Sequence, residues 1–173
     1  GNNAFKNCFN LISLPFNIVG QTIGDNSFYG CSKLVSISLV NVKKIGQDAF
    51  KNCFGLQHID ISTLENQKLS EVFQGVESVR SIKFMDSIIP DSYFKDLSFV
   101  TNISFDQPIK KIGKYAFSGC SSLKTLPDFN DVLTIGSFAF ARCSALKTIT
   151  IPESVISIGE SALGSCTSLT EVY

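Results

Sequence analysis

Six cysteines, Cys8, Cys31, Cys53, Cys120, Cys143 and Cys166, are the side chains whose chemistry first needs an account. Thiols in that number can build a disulfide framework or, as thiolates, hold zinc. Their separations of 23, 22, 67, 23 and 23 residues contain no Cys-x-x-Cys pair. A zinc site needs ligands converging on a point, and a bridge needs side chains aimed at each other. One thiol per regular interval, all at one place in a repeating unit, offers neither. Val76 and Leu97 stand at that same place in the long gap, so the position wants a small to medium apolar side chain, which a buried cysteine supplies. The spacing therefore predicts six free, slowly reacting thiols, no metal and no cofactor.

The single histidine, His58, has Asp60 two residues on, and in a strand both project from one face. That would provide a base and an orienting carboxylate. A nucleophile is missing, because Cys53 belongs to the regular series and Ser62 follows an inward Ile61. Phosphate loops, EF-hand loops, zinc-protease helices and clustered glycines of a dinucleotide fold are all absent. The sequence reads as a non-enzyme. The basic pairs Lys43-Lys44 and Lys110-Lys111 read as solvated loops, and Asn102-Ile103-Ser104 forms one glycosylation tripeptide.

The elements that carry these residues follow from the repeat. Ile45-Gly46-Gln47-Asp48-Ala49-Phe50-Lys51-Asn52-Cys53 recurs at Ile112 to Cys120 and at Ile135 to Cys143. Anchored on the aromatic, the series is Phe5, Phe28, Phe50, Phe73, Phe94, Phe117 and Phe140, with Leu163 eighth, at intervals of 21 to 23 residues. Three places after each anchor stands the cysteine column. Six places after it stand Leu11, Leu34, Leu56, Val79, Val100, Leu123, Leu146 and Leu169, and nine places after it Leu14, Ile37, Ile59, Ile82, Ile103, Leu126, Ile149 and Val172. Columns that stay apolar while their neighbours vary are the mark of a stacked solenoid with a continuous core.

The stretch from Leu56 to Ile61 alternates and is rich in β-branched residues, so it reads as a short strand, and successive strands predict one parallel sheet. The segment Gly46 to Cys53 has room for one helical or 3₁₀ turn. Glycine recurs four residues before the anchor at Gly1, Gly24, Gly46, Gly113, Gly136 and Gly159, which predicts a positive φ or a close backbone approach. Small residues precede the anchor in the same repeats. The fourth and fifth repeats break the pattern with Val72, Tyr93 and Pro90, so the turns between residues 62 and 98 should differ. The whole of 1–173 is read as one domain.

Charge narrows the function. Lys plus Arg and Asp plus Glu both number 15, so no net field draws the chain to nucleic acid or anionic lipid. No apolar run reaches the roughly 18 residues of a membrane span, so this segment does not insert directly into a membrane. The residues eight and ten after each anchor should face outward on the sheet. They include Ser13 and Pro15, Ser36 and Ser38, His58 and Asp60, Ser81 and Lys83, Asn102 and Ser104, Thr125 and Pro127, and Thr148 and Thr150, with Arg80 beside them. The candidate binding surface is Ser36, Ser38, His58, Asp60, Arg80, Lys83, Asn102 and Ser104. The candidate structural core is Phe28, Phe50, Phe117 and Phe140 with Cys31, Cys53, Cys120 and Cys143.

The unit Ile-Gly-x-x-Ala-Phe-x-x-Cys-x-x-Leu-x-x-Ile-x-Ile-Pro, matched throughout by Ile135 to Pro152, resembles the BspA-like, or Treponema-type, leucine-rich repeat family. The resemblance implies an α/β repeat solenoid, a right-handed superhelix with a parallel β-sheet on one face and short strands, turns or 3₁₀ and helical turns on the other. It also implies an adhesion or protein-interaction module of a cell-surface or secreted protein, with a protein or glycan partner. An intracellular, cytoplasmic interaction scaffold is the alternative, since unpaired thiols suit a reducing compartment. Both ends cut through a repeat, which raises the expectation of end-to-end self-association.

Overall fold

The computed structural model describes residues 1–14, 18 and 20–173; Pro15, one of the outward positions, lies outside them. The protein is a parallel-sheet solenoid of about seven turns with little helix. Its chain divides into two compact units, Gly1–Lys83 and Phe84–Tyr173, within the stretch where the repeat signature lapses.

In the first unit the Phe28 and Phe50 repeats each contribute two short strands. The shorter ones, β1 (Thr22–Ile23) and β3 (Lys44–Ile45), precede the repeat's glycine and pair in parallel, Ile23 opposite Ile45. Longer strands follow the anchor: β2 (Ser36–Leu39) pairs with β4 (His58–Ile61), and β5 (Ser81–Phe84) is next to β4 in the same sheet. Alternation decides which side is buried. Ile37, Leu39, Ile59 and Ile61 are at most 5% exposed while Ser36 and His58 face solvent.

The second unit repeats the plan. Its shorter strands β6 (Ile88–Ile89), β8 (Lys111–Ile112), β9 (Thr134–Ile135) and β11 (Ser157–Ile158) form one parallel sheet in the order β11-β9-β8-β6. On the other side of each repeat lie β7 (Asn102–Phe105), β10 (Thr148–Ile149) and β12 (Glu171–Val172), with β10 and β12 paired. After its anchor the Phe117 repeat forms no counterpart of β7 and β10, and there Pro127 removes a backbone donor.

Where the sequence suggests one helical or 3₁₀ turn, the anchor segment is instead a run of tight turns bonded from repeat to repeat. Asn26, Phe28 and Gly30 donate their backbone N–H groups to Gln47, Ala49 and Lys51 carbonyls at 2.8 to 2.9 Å. The same three bonds recur from Tyr115, Phe117 and Gly119 to Ser137, Ala139 and Ala141. Alternate N–H groups can point along the stack because the residues two before and two after the anchor have positive φ, as at Asn26 (53°) and Gly30 (75°). Asn, Asp and Gly tolerate that region, whereas a bulky side chain there costs on the order of 1 kcal/mol.

The glycines four before the anchor have a different reason. A Cβ on Gly46 would lie 2.4 Å from Asp25 N, and one on Gly136 would lie 2.5 Å from Lys114 N. Close approach of successive backbones, not positive φ, excludes a side chain there.

Inside, the anchors stack ring on ring. Phe28 and Phe50 lie 5.4 Å apart with planes 4° from parallel, and Phe117 and Phe140 lie 5.1 Å apart at 4°. Full burial of each ring contributes about 1.5–3 kcal/mol. The Phe73 repeat departs from the pattern, with a four-residue helix, α1 (Leu69–Val72), in place of the short strand and turn. Gln67 compensates: its side-chain amide accepts the Ile45 N–H at 2.8 Å and donates to the Ile45 carbonyl at 2.7 Å, standing in for a peptide group on the edge of β3.

Candidate functional site

The outward side chains of the first unit are set by strand register. Ser36 lies opposite His58 and Ser38 opposite Asp60. Ser36 and His58 are exposed, and Ser38, Asp60, Ser81 and Lys83 are half-buried. His58 Nδ1 is 2.5 Å from Ser81 Oγ, so the imidazole is tied to the neighbouring strand. The exposed Arg80 turns its guanidinium onto its own segment, donating to the carbonyls of Glu77 at 2.5 Å and Val79 at 3.2 Å. The result is a polar patch that carries hydroxyl, imidazole, carboxylate and ammonium groups.

Ser81 and His58 are a hydroxyl and a base within reach, the start of a nucleophile constellation. Asp60 makes no hydrogen bond to the imidazole among the described residues, and the pair lies on an exposed face. The geometry fixes the imidazole against Ser81 without bringing the Asp60 carboxylate to it as the third member that acyl-transfer chemistry uses.

In the second unit Asn102 is exposed and Ser104 half-buried on β7, with Ile103 fully buried between them. Thr125, Thr148 and Thr150 are exposed. Two hollows of about 220 and 360 Å³ flank the segment Pro127 to Asn130, where a strand is missing. The first unit has a hollow of about 410 Å³ beside α1, lined by Lys44, Asp48, Gln67 and Gln74 among others.

The cysteines belong to the interior. Cys31, Cys53, Cys120 and Cys143 are buried to 0% exposure, as are Phe50, Phe117 and Phe140, with Phe28 at 2%. Each thiol donates to the anchor carbonyl of the repeat before it: Cys31 to Phe5, Cys53 to Phe28, Cys120 to Phe94, Cys143 to Phe117 and Cys166 to Phe140, at 3.0 to 3.2 Å. Burial is the main force raising their pKa values, to about 11 at Cys31 and about 12 at Cys53 and Cys143. Cys8, which is exposed, and Cys166, which is half-buried, are the corrections to a uniformly protected set.

One feature had no counterpart among the sequence candidates. Tyr115 and Phe138 occupy the position two before the anchor and stack at 5.0 Å with planes 4° apart. Their sequence signal was available, since the same position holds Asn3, Asn26, Asp48, Ser92 and Ser161 in other repeats.

The fold and its polar strand face define a leucine-rich-repeat solenoid of the kind that presents a recognition surface. The sequence pattern described as the BspA type leucine rich repeat region, in six copies, matches residues 1–89 and 87–173, and the chain belongs to that family. A leucine-rich repeat protein of Bacteroides ovatus is similar over 99% of this chain and 51% of its own, with 24% identity and a TM-score of 0.67. A leucine rich cell surface protein of Faecalibacterium prausnitzii is similar over 99% of this chain and 68% of its own, with 21% identity and a TM-score of 0.54. The chain thus spans about half the length of the Bacteroides ovatus protein. No curated protein matches by sequence. Proteins of this family are generally binding modules rather than enzymes. No helix among the described residues is long and apolar enough to cross a membrane.

Proposed function

We propose that residues 1–173 act as one eight-repeat, non-enzymatic adhesion or interaction module of a cell-surface protein, using the strand face to bind a protein or glycan. The observation that carries this reading is the first unit's register, in which Ser36 and Ser38 meet His58 and Asp60 over fully packed inner residues. The fold's own packing uses the inner residues, leaving the outer ones for a partner. Such a face lacks large aromatic anchors, so each contact is weak and affinity grows with multivalency.

The test is binding of the protein, displayed in many copies, to matrix proteins and to a glycan array. For a ligand so found, Lys83→Glu should weaken binding about tenfold, equivalent to ~1.4 kcal/mol. His58→Ala and Asp60→Ala should weaken it less. Unchanged affinity for every ligand in all three variants would exclude this patch.

An intracellular scaffold is the second reading, favoured by six unpaired thiols. Fractionation of the source cells separates the two. We also propose end-to-end self-association through Ile156, Ile158 and Val172, which are 80%, 52% and 55% exposed. A scattering mass that stays monomeric at every concentration would exclude it.

A further inference from the structure

We propose that Tyr115 and Phe138 form a shelf on the turn face of the second unit that takes an arginine side chain of a protein partner. Five other repeats make the same turn with Asn, Asp or Ser at positive φ. Tyr115 and Phe138 adopt it too, at 55° and 57°, in a region that disfavours bulky side chains. A costly conformation kept by two adjacent aromatic residues, where small polar ones serve the fold, points to a use beyond the fold. The rings are at the surface: Tyr115 is 40% exposed and Phe138 half-buried, unlike the anchor column behind them.

The occupant follows from charge. A ring face attracts cations, and the Lys95 ammonium already sits 5.7 Å from the Tyr115 centroid. Phe138 stacks on Tyr115, so Phe138 is the last ring of this surface pair. Beyond it lies the Leu163 repeat, which has the small Ser161 at the matching position. The Phe138 N–H donates to the Glu160 carbonyl at 2.9 Å, which joins the Glu160 backbone to that of Phe138. Glu160 is exposed and makes no ion pair among the described residues. A surface ring pair that already draws one cation, with an exposed carboxylate on the residue bonded to Phe138, suits a guanidinium, which is planar, stacks on rings and pairs with carboxylates. The shelf is built from turns of the second unit and not from strands, and its failure would leave the strand reading untouched.

The experiment combines folding and binding. Tyr115→Asn and Phe138→Asn restore the residue type the turn ordinarily holds, so both variants should unfold at or above the wild-type temperature. Clear destabilisation of either would show that the fold needs the rings and overturn the proposal. The binding probe is acetylated Gly-Arg-Gly amide, titrated while the ring protons of Tyr115 and Phe138 are followed by NMR. Saturable shifts are expected in the intact protein, absent in Phe138→Asn, weaker in Glu160→Gln, and weaker with the lysine counterpart. No shift in the intact protein, equal shifts with the glutamate counterpart, or a response to cellobiose in place of the arginine peptide would each overturn it.

Discussion

At Cys53 the thiol does two things at once: it fills a fully buried apolar slot and donates its proton to the Phe28 carbonyl. The sequence made the first legible, because Val76 and Leu97 replace cysteine in the column. It hid the second, since a donor across 25 residues of chain leaves no local pattern. The bond has a pH signature. Cys53 titrates near 9 ordinarily and is pushed up to about 12 in the fold, chiefly by burial and then by the neighbouring Cys31. Below pH 9 the thiol is neutral in both states and its contribution is whole. Above that, the unfolded chain ionises while the folded one does not, so the contribution falls from about pH 9 and is lost by about pH 12. Urea unfolding across that window should show a smaller loss in Cys53→Val than in wild type. The same burial protects against reagents, because the thiolate is the nucleophile. Thiol titration of the native protein should modify Cys8 promptly and the four buried cysteines only on unfolding. A variant with both Cys8→Ser and Cys166→Ser that still labels at once would contradict this.

The turn before each anchor shows where reading by type reaches its limit. A recurring glycine pointed to either positive φ or close approach, and at Gly136 the second applies, with Lys114 N only 2.5 Å from where a Cβ would stand. Positive φ lies elsewhere, at positions filled mostly by Asn, Asp and Ser, whose side chains gave no single column to recognise. The two kinds of glycine should therefore respond differently. Gly136→Ala should destabilise by about 1–3 kcal/mol, because the backbone it would strike cannot move aside. Gly75→Asn should stay within about 0.5 kcal/mol, since Gly75 has a φ of 75° and open space around it. Denaturant unfolding of both variants checks the contrast, and equal losses would remove the distinction. The Phe73 repeat tests a second element. Gln67→Ala leaves the N–H and carbonyl of Ile45 without their side-chain partners, which should cost about 1–3 kcal/mol. Nothing in the sequence marks Gln67, because its amide replaces a strand through a contact 22 residues away.

Over the whole molecule, what was legible is what repetition enforces. The apolar columns must recur because each ring packs on the one before it, as Phe28, Phe50 and Phe73 do at 5.4 and 5.3 Å. The strand face carries no such constraint, and for that reason its chemistry varies from Ser36 and Ser38 to His58 and Asp60, so its partner is not spelled out by any column. The same nearest-neighbour logic governs how damage spreads. Replacing Phe50 by alanine removes a fully buried ring that stacks on the Phe28 and Phe73 rings, at a cost of about 3–5 kcal/mol. In a stack whose stability is a sum of repeats and their interfaces, that loss falls on the adjoining repeats first. Amide hydrogen exchange of Phe50→Ala should accelerate at Phe28, Gly30, Cys53 and Val76, while the amides of Phe117 and Gly119 keep their wild-type protection. A uniform loss along the chain would mean that the molecule opens as a single cooperative body, and that binding on any one repeat is felt by all of them.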